Sequence, residues 1–319
     1  MKETGRFYLP EDESPAYYNL SKNLQASGWQ KCQSRGLADF SDTNFQFDEQ
    51  AAQCLEYKHL LAGLVQTYCP EIMPATYVTN DHNWPDVVNK LADDRWILKP
   101  SLLNNGQYIK IFQTLNDIKA HFLKSDRMGG EHVIQHYINN PHLLRDDRKY
   151  SIRMFLVITN FSGAFLYKQG YFNVAKYPFS ATDFNDLKPH LTNEHLFATE
   201  TNVIQIPSIK FEFFPVIYPQ IAGVIKTLMS ALQQLFPTAF MSQGKQAIAL
   251  FGMDFMLDDA GKIWLLEANH GPCFPVDADH PLQSWLYDGF WAALIQNFVK
   301  PIAGNYKQPG ESANFEQVL

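Results

Sequence analysis

Residues 251–272, FGMDFMLDDAGKIWLLEANHGP, constrain this chain more than any other segment. Two apolar runs flank Asp258-Asp259-Ala260-Gly261, which predicts a β-hairpin over residues 247–257 and 262–268. The first run is apolar apart from Asp254; the second is apolar until Glu267 and Asn269. Side chains alternate along a strand, so Glu267 and Asn269 share a face. The tight turn carries Asp254 opposite them, within a residue or two of register. Two carboxylates and one amide oxygen then converge at the end of an apolar hairpin. Burying two like charges together is costly unless a cation neutralises them. Hard oxygen ligands in this number suit Mg²⁺, which keeps waters and shares phosphate oxygens from a nucleotide. A plainer alternative has Asp254 ending a strand while Glu267 and Asn269 begin a solvated loop.

The rest of the chain reads as mixed α/β. Residues 49–68 have helical spacing, with Ala52, Leu55, Leu60, Leu61, Leu64 and Val65 near one stripe, until Pro70 and Pro74 break it. Strands are expected at 95–100 (RWILKP) and 132–138 (HVIQHYI), with a helix at 114–124 between them. Two further strands are expected at 149–159 and 164–175, then a long amphipathic helix at 215–236. The turn-rich residues 303–319 read as a loose tail. With 319 residues there is room for two or three domains, and we expect units at 1–75, 76–140 and 141–302.

Two more constellations could carry chemistry. In RKYSIR, Lys149, Ser151 and Arg153 share one face of a strand whose other face, from Tyr150 to Leu156, is apolar. Such a pair of cations suits an anion site, or an ordinary half-exposed strand. Lys99 ends the strand WILKP before Asn104-Asn105-Gly106, where an ammonium and backbone N–H groups could meet a phosphate. A solvated strand-end lysine is the alternative. The ten histidines form no zinc pattern, and neither GxSxG nor GxxxxGK[ST] occurs. Four scattered cysteines without a CxxC pair suit buried, reduced thiols, and Cys273 has no base beside it. A net charge of −7 disfavours nucleic acid. The absence of an apolar h-region and of any run of 18 apolar residues predicts no membrane span. A cytoplasmic location is expected, with signal-independent secretion left open.

In order along the chain, Lys99 in WILKP, Gln135-His136-Tyr137-Ile138, RKYSIR, Leu191-Thr192-Asn193, Asp254 and Glu267-Ala268-Asn269 resemble the tubulin–tyrosine-ligase-like family of ATP-grasp enzymes. The resemblance covers roughly residues 50–300. It implies an ATP-grasp fold with ATP between central and C-terminal domains, behind a small N-terminal domain. It implies that Lys58 and Lys99 contact ATP phosphates and that Gln135, His136, Tyr137 and Ile138 form the adenine hinge. By the same resemblance Lys149, Ser151, Thr192 and Asn193 line the nucleotide, and Arg153 faces an acyl phosphate. Asp254, Glu267 and Asn269 match the Mg²⁺ ligands. The implied reaction activates a carboxylate, on a polypeptide or small molecule, with ATP and joins it to an amine, such as that of an amino acid. A small-molecule ligase or kinase, and a nucleotide-binding module without catalysis, are the alternatives. Three positions depart from the family. Ser151 stands for the usual aspartate, and the Gly-rich loop is thinned. Asn173 stands where an arginine usually holds the donor's carboxylate, leaving Lys176 or Lys168 as possible replacements.

Overall fold

The computed structural model describes all residues except 1–2, 105, 195–200, 243, 278 and 311–312. A small parallel sheet comes first, from β1 (Arg6–Tyr8), β2 (Gln30–Lys31) and β3 (Phe40–Ser41). A four-stranded antiparallel sheet follows, from β4 (Thr76–Thr79), β5 (Trp96–Pro100), β6 (Lys110–Phe112) and β7 (His132–His136), in the order β4-β7-β5-β6. The largest sheet has six strands: β8 (Arg148–Thr159), β9 (Gly163–Pro178), β10 (Val203–Pro207), β11 (Ile248–Leu257), β12 (Ile263–His270) and β13 (Phe315–Gln317). Its main path runs β10-β9-β8-β11-β12, with β13 on β9. The expected strands and the hairpin are therefore present. Among the described residues no helix is long and apolar enough to cross a membrane.

Strand periodicity decides which side chains become core. In the four-stranded sheet Trp96, Leu98 and Ile134 pack against two helices, Trp84–Val88 and Leu115–Phe122. Alternation turns Ile97, Lys99 and Gln135 to the other face, which no helix of this unit covers. In the six-stranded sheet, Tyr150, Ile152, Met154, Leu156 and Ile158 enter a core with the long helix Phe214–Leu235. The opposite face is split along its length. At one end Phe155, Val157, Ile248 and Leu250 meet Phe274, Phe290 and Trp291. At the other end that cover stops, and Lys149, Ser151, Arg153, Asp254 and Met256 are left facing the four-stranded sheet across a cavity.

Two expectations need correction. The single helix over 49–68 is two helices, Glu49–Glu56 and Lys58–Tyr68, separated at Tyr57, whose ψ of 120° is extended. Both apolar stripes still reach one core, which is why the periodicity hides the break. The break puts Lys58 at the start of the second helix, beside the cavity. Residues 303–319 are not a loose tail throughout, since Phe315, Glu316 and Gln317 pair with Tyr167, Leu166 and Phe165 of β9. Phe315 is buried, with ring centroids 5.2 Å from both Tyr167 and Phe298. Phe315→Ala should lower the unfolding free energy by ~3–5 kcal/mol, as for other buried aromatic truncations. A change within about 0.5 kcal/mol by urea denaturation, the scale of a surface substitution, would mean that the strand carries no stability.

Candidate functional site

The uncovered faces of the two larger sheets enclose a cavity of about 1190 Å³, counting its open mouth. Register sets its floor. Asp254 of β11 pairs with Glu267 of β12 on one side and Arg153 of β8 on the other, and Arg153 pairs in turn with Tyr171 of β9. One step along, Ser151 pairs with Asn173, and Asn173 with Gln205 of β10. A register shift between Asp254 and Phe255 leaves Leu266 without a partner, so the hairpin is bulged where its carboxylates meet. Lys99, Gln135, His136, Tyr137, Ile138, Lys149, Ser151, Arg153, Asn173, Thr192, Asn193, Asp254, Glu267 and Asn269 all line this one cavity. Lys58 borders it through an adjoining pocket shared with Lys99 and Glu267. Asn104 lines it as well, while Asn105 of the expected phosphate loop lies outside the described residues.

The acidic corner is held by cations. Arg153 donates from Nε and Nη2 to the two oxygens of Asp254, at 2.6 and 2.7 Å. Gly252 makes room for this, because a Cβ there would lie 2.9 Å from the Arg153 guanidinium. Lys58 Nζ lies 3.5 Å from Glu267 and donates to the Leu103 carbonyl at 3.0 Å. Burial would raise the Glu267 carboxyl, but Lys58, Lys99 and Arg153 overcome it and hold Glu267 down at about 2. Asp254 moves the other way: burial lifts it above the ordinary aspartate value despite Arg153.

Among the described residues no three His, Cys, Asp or Glu side chains cluster as a metal site. The expected set is instead two carboxylates and an amide. Asn269 Nδ2 sits 3.1 Å from Asp254 and 3.3 Å from Glu267. Which amide atom points inward is an assignment that the hydrogen-bond network decides. With Oδ1 inward, three side chains would offer oxygen to one point. The donor chemistry therefore fits a hard divalent cation such as Mg²⁺.

At the other end the cavity is lined by hydrogen-bond chains. Lys99 Nζ donates to Gln135 Oε1 at 2.8 Å, and Gln135 Nε2 donates to Thr76 Oγ1 at 2.9 Å. Gln135 thus acts through its side chain. The N–H groups of His136 and Tyr137 donate to the Ala75 and Arg95 carbonyls at 2.7 and 3.0 Å. His190 Nε2 donates to the Asp183 carbonyl at 2.6 Å, which leaves Nδ1 to accept from the Tyr137 hydroxyl at 2.9 Å. Tyr137 in turn accepts from Lys149 Nζ at 3.0 Å. Thr192 donates to Ser151 at 2.8 Å. Ile97, Tyr137, Phe184 and Leu191 form an apolar cluster beside these groups, suited to a flat heterocycle.

Not every expected residue arrives. Lys176 is exposed and donates to Thr201 at 2.7 Å, away from the cavity. It lies three residues beyond Asn173, and the period of two turns it to the opposite face. Lys168 borders a separate outer groove. Cys273 is exposed on the cavity wall, not buried, and Cys32 is half-buried. Tyr171, His190, Gln205 and Glu194 line the cavity without having been singled out in the sequence. Tyr171 had a signal, since it is two residues before Asn173 on the same strand; the others depend on long-range pairing.

Among the described residues, Lys99 and Lys149 have no carboxylate hydrogen-bonded to them. Burial lowers Lys99 to about 8 and, with the neighbouring charge of Lys99 second, lowers Lys149 to about 7. A polyphosphate in the cavity favours the charged ammonium and so raises both. Binding at pH 8 should then take up about one proton at Lys149 and about half a proton at Lys99, and affinity should fall by ~10-fold per pH unit near pH 7.5, steepening toward ~100-fold per unit near pH 9. Calorimetry in two buffers of different ionisation enthalpy measures the uptake. Lys149→Met should remove most of it; an unchanged uptake in that variant would place the titrating group elsewhere.

The tubulin-tyrosine ligase family profile matches residues 30–205 and 215–307. A probable tubulin–tyrosine ligase of Saccharomyces cerevisiae is 25% identical, over 83% of this chain and 44% of its own length. A probable tubulin polyglutamylase of Caenorhabditis elegans is 26% identical, over 63% of this chain and 52% of its own. A tubulin glycylase of Tetrahymena thermophila is 25% identical, over 56% of this chain and 18% of its own. The chain thus spans about half or less of the length of these curated relatives.

Proposed function

Since this chain belongs to the tubulin-tyrosine ligase family, we propose that it is an ATP- and Mg²⁺-dependent carboxylate–amine ligase of ATP-grasp architecture. In this reading the nucleotide lies between the four-stranded and six-stranded sheets, with unit boundaries near residues 75 and 140. The observation that carries it is the distribution of charge around one cavity. Lys58, Lys99, Lys149 and Arg153 border it against three carboxylates, Asp254, Glu267 and Glu194. Such an excess of buried positive charge supports an anionic ligand.

Adenine stacks against Ile97 and Leu191 beside the hinge at Gln135–Ile138, and Thr192, Asn193 and Ser151 line the sugar and phosphates. Lys58 and Lys99 hold phosphate oxygens, and Lys149 adds a third ammonium. Asp254, Glu267 and Asn269 would hold Mg²⁺, which supplies charge neutralisation for the phosphates. A substrate carboxylate oxygen attacks the γ-phosphorus and ADP leaves. Lys99 and Arg153 steady the charge on the transferring group. The amine nitrogen then attacks the acyl carbon, the carbon–oxygen bond to phosphate breaks, and the nitrogen loses a proton. Inorganic phosphate and an amide result. The names of the relatives speak of tyrosine ligation, polyglutamylation and glycylation of tubulin. We accordingly propose a polypeptide carboxylate as acceptor, modified by addition of an amino-acid unit through its amine.

Mg–ATP at millimolar concentration should raise the thermal midpoint, since it binds only the native state. Lys99→Ala should weaken ATP binding by ~10–100-fold, the scale of one charge-assisted hydrogen bond. Glu267→Gln should leave the fold intact while abolishing the Mg²⁺ dependence of the shift. A wild type that binds no ATP by calorimetry would refute the nucleotide reading. Mass spectrometry of candidate acceptors then reads the reaction. Gain of one amine minus water marks the ligase, whereas gain of a phosphoryl group alone marks a kinase.

A further inference from the structure

We infer that His59 is a positioning residue for the nucleotide: through Ser101 it fixes the segment whose carbonyl aims the Lys58 ammonium at the cavity. The inference rests on the reading of Lys58 as a phosphate contact given above, and deepens it.

The helix Lys58–Tyr68 begins directly after the extended Tyr57, which gives it no side-chain cap. The first amides of a helix have no acceptor within it. For His59 the acceptor comes from 42 residues away: its N–H donates to Ser101 Oγ at 3.1 Å. The His59 ring turns back onto the same oxygen, with Nδ1 in hydrogen-bond contact with Ser101 Oγ. Among the described residues Nδ1 is the acceptor open to the Ser101 hydroxyl proton, which assigns the ring proton to Nε2. Tyr57 stacks on the ring, with planes 6° apart and centroids 6.2 Å apart.

Ser101 is buried and directly follows Pro100, the last residue of the strand that carries Lys99. Its own N–H donates to the Glu131 carbonyl at 3.0 Å. Two residues on, the Leu103 carbonyl accepts from Lys58 Nζ at 3.0 Å. The contacts close a ring, because Lys58 and His59 are adjacent in the chain and both reach the short segment from Ser101 to Leu103. Packing does not hold that segment, since Leu102 between the two anchors is 66% exposed. Lysine is long and flexible, and its ammonium stays in place only where a fixed acceptor keeps it. Glu267, at 3.5 Å from Lys58 Nζ, is a looser partner than the Leu103 carbonyl. Lys99 has an anchor of its own in Gln135, at 2.8 Å. Loss of the contact between His59 and Ser101 should therefore be felt at Lys58 and not at Lys99.

The test is calorimetric binding of a non-hydrolysable ATP analogue, with Mg²⁺, to the full chain. His59→Leu should weaken binding by ~10-fold, the scale of one lost hydrogen bond that had held a charge in place. His59→Asn, whose amide oxygen can accept from Ser101 in place of Nδ1, should stay within about threefold of wild type. Ser101→Ala replaces His59→Leu should that variant fail to fold. In a Lys58→Met background the same change should cost less than about twofold, because the ammonium that it positions is gone. In a Lys99→Met background it should keep its ~10-fold cost. Equal losses with and without Lys58, or an unchanged affinity in His59→Leu, overturn the inference. Amide hydrogen exchange without nucleotide tests the contact itself: the His59 N–H should exchange ~10-fold more slowly in wild type than in Ser101→Ala. Equal exchange in the two proteins also overturns the inference. A wild type that does not bind the analogue removes the nucleotide reading itself, and the inference with it.

Discussion

The pairing of Arg153 with Asp254 is the interaction on which the rest of the site depends. It crosses the middle of the largest sheet and joins the strand that carries Lys149 to the hairpin that carries Asp254 and Glu267. Both partners are largely removed from water, so neither tolerates loss of the other. Breaking such a buried pair typically costs ~3–5 kcal/mol because one charge is left without compensation. Two glycines make the geometry possible. Gly252 leaves space for the guanidinium, and Gly170, where a Cβ would fall 2.2 Å from the Arg153 carbonyl, lets β9 close against β8. Everything that follows from Asp254, including the proximity of Glu267 and Asn269, inherits its position from this pair.

Around it the charges are separated by role. Asp254 and Glu267 stand on the hairpin, Lys99 on the facing sheet, Lys58 on the adjoining helix, Lys149 on β8 beside Arg153, and Asn173 and Gln205 on β9 and β10. Lys99 and Lys149 are buried against an amide and a phenol, with no carboxylate among the described residues bonded to either. Their ammonium groups are therefore destabilised until an anion arrives, which is the reason both titrate far below an ordinary lysine. On the function proposed above, a polyphosphate would supply the missing countercharge. Binding energy and electrostatic preorganisation would then come from the same two residues.

Much of this was legible in the sequence, for a definite physical reason. Isolated charges inside apolar, period-two segments have few places to go, so Asp254, Glu267, Lys149 and Arg153 announced both their strands and their faces. The strand carrying Lys99 was legible in the same way. What stayed hidden depends on contacts between distant segments. Tyr57 interrupts a helix without interrupting its apolar stripe, so the periodicity alone could not show it. His190 matters only because Tyr137, 53 residues earlier, lies within hydrogen-bond reach. The strand Phe315–Gln317 is three residues long and draws its stability from β9, leaving almost no local pattern to detect. Lys176 is a different kind of miss: its odd spacing from Asn173 already placed it on the wrong face.

The split face of the large sheet explains how one set of strands serves stability and chemistry together. Along β8, the side chains facing away from the Phe214–Leu235 helix run Lys149, Ser151, Arg153, Phe155 and Val157. Polarity switches between Arg153 and Phe155, where Phe274 and Phe290 end their cover at centroid distances of 5.3 and 4.9 Å from Phe155. The aromatic cluster therefore holds the register that the polar half requires. A slip of one residue would send Arg153 into the apolar core and Phe155 out of it. Such a slip would both bury an unpaired guanidinium and empty the aromatic cluster, so the two halves of the strand enforce the same alignment. Because β8 is paired to β9 and β11 on either side, that alignment fixes Tyr171, Asn173 and Asp254 as well. Precision at the acidic corner is then a property of the sheet's core, and the cavity is free to hold groups that contribute little to stability.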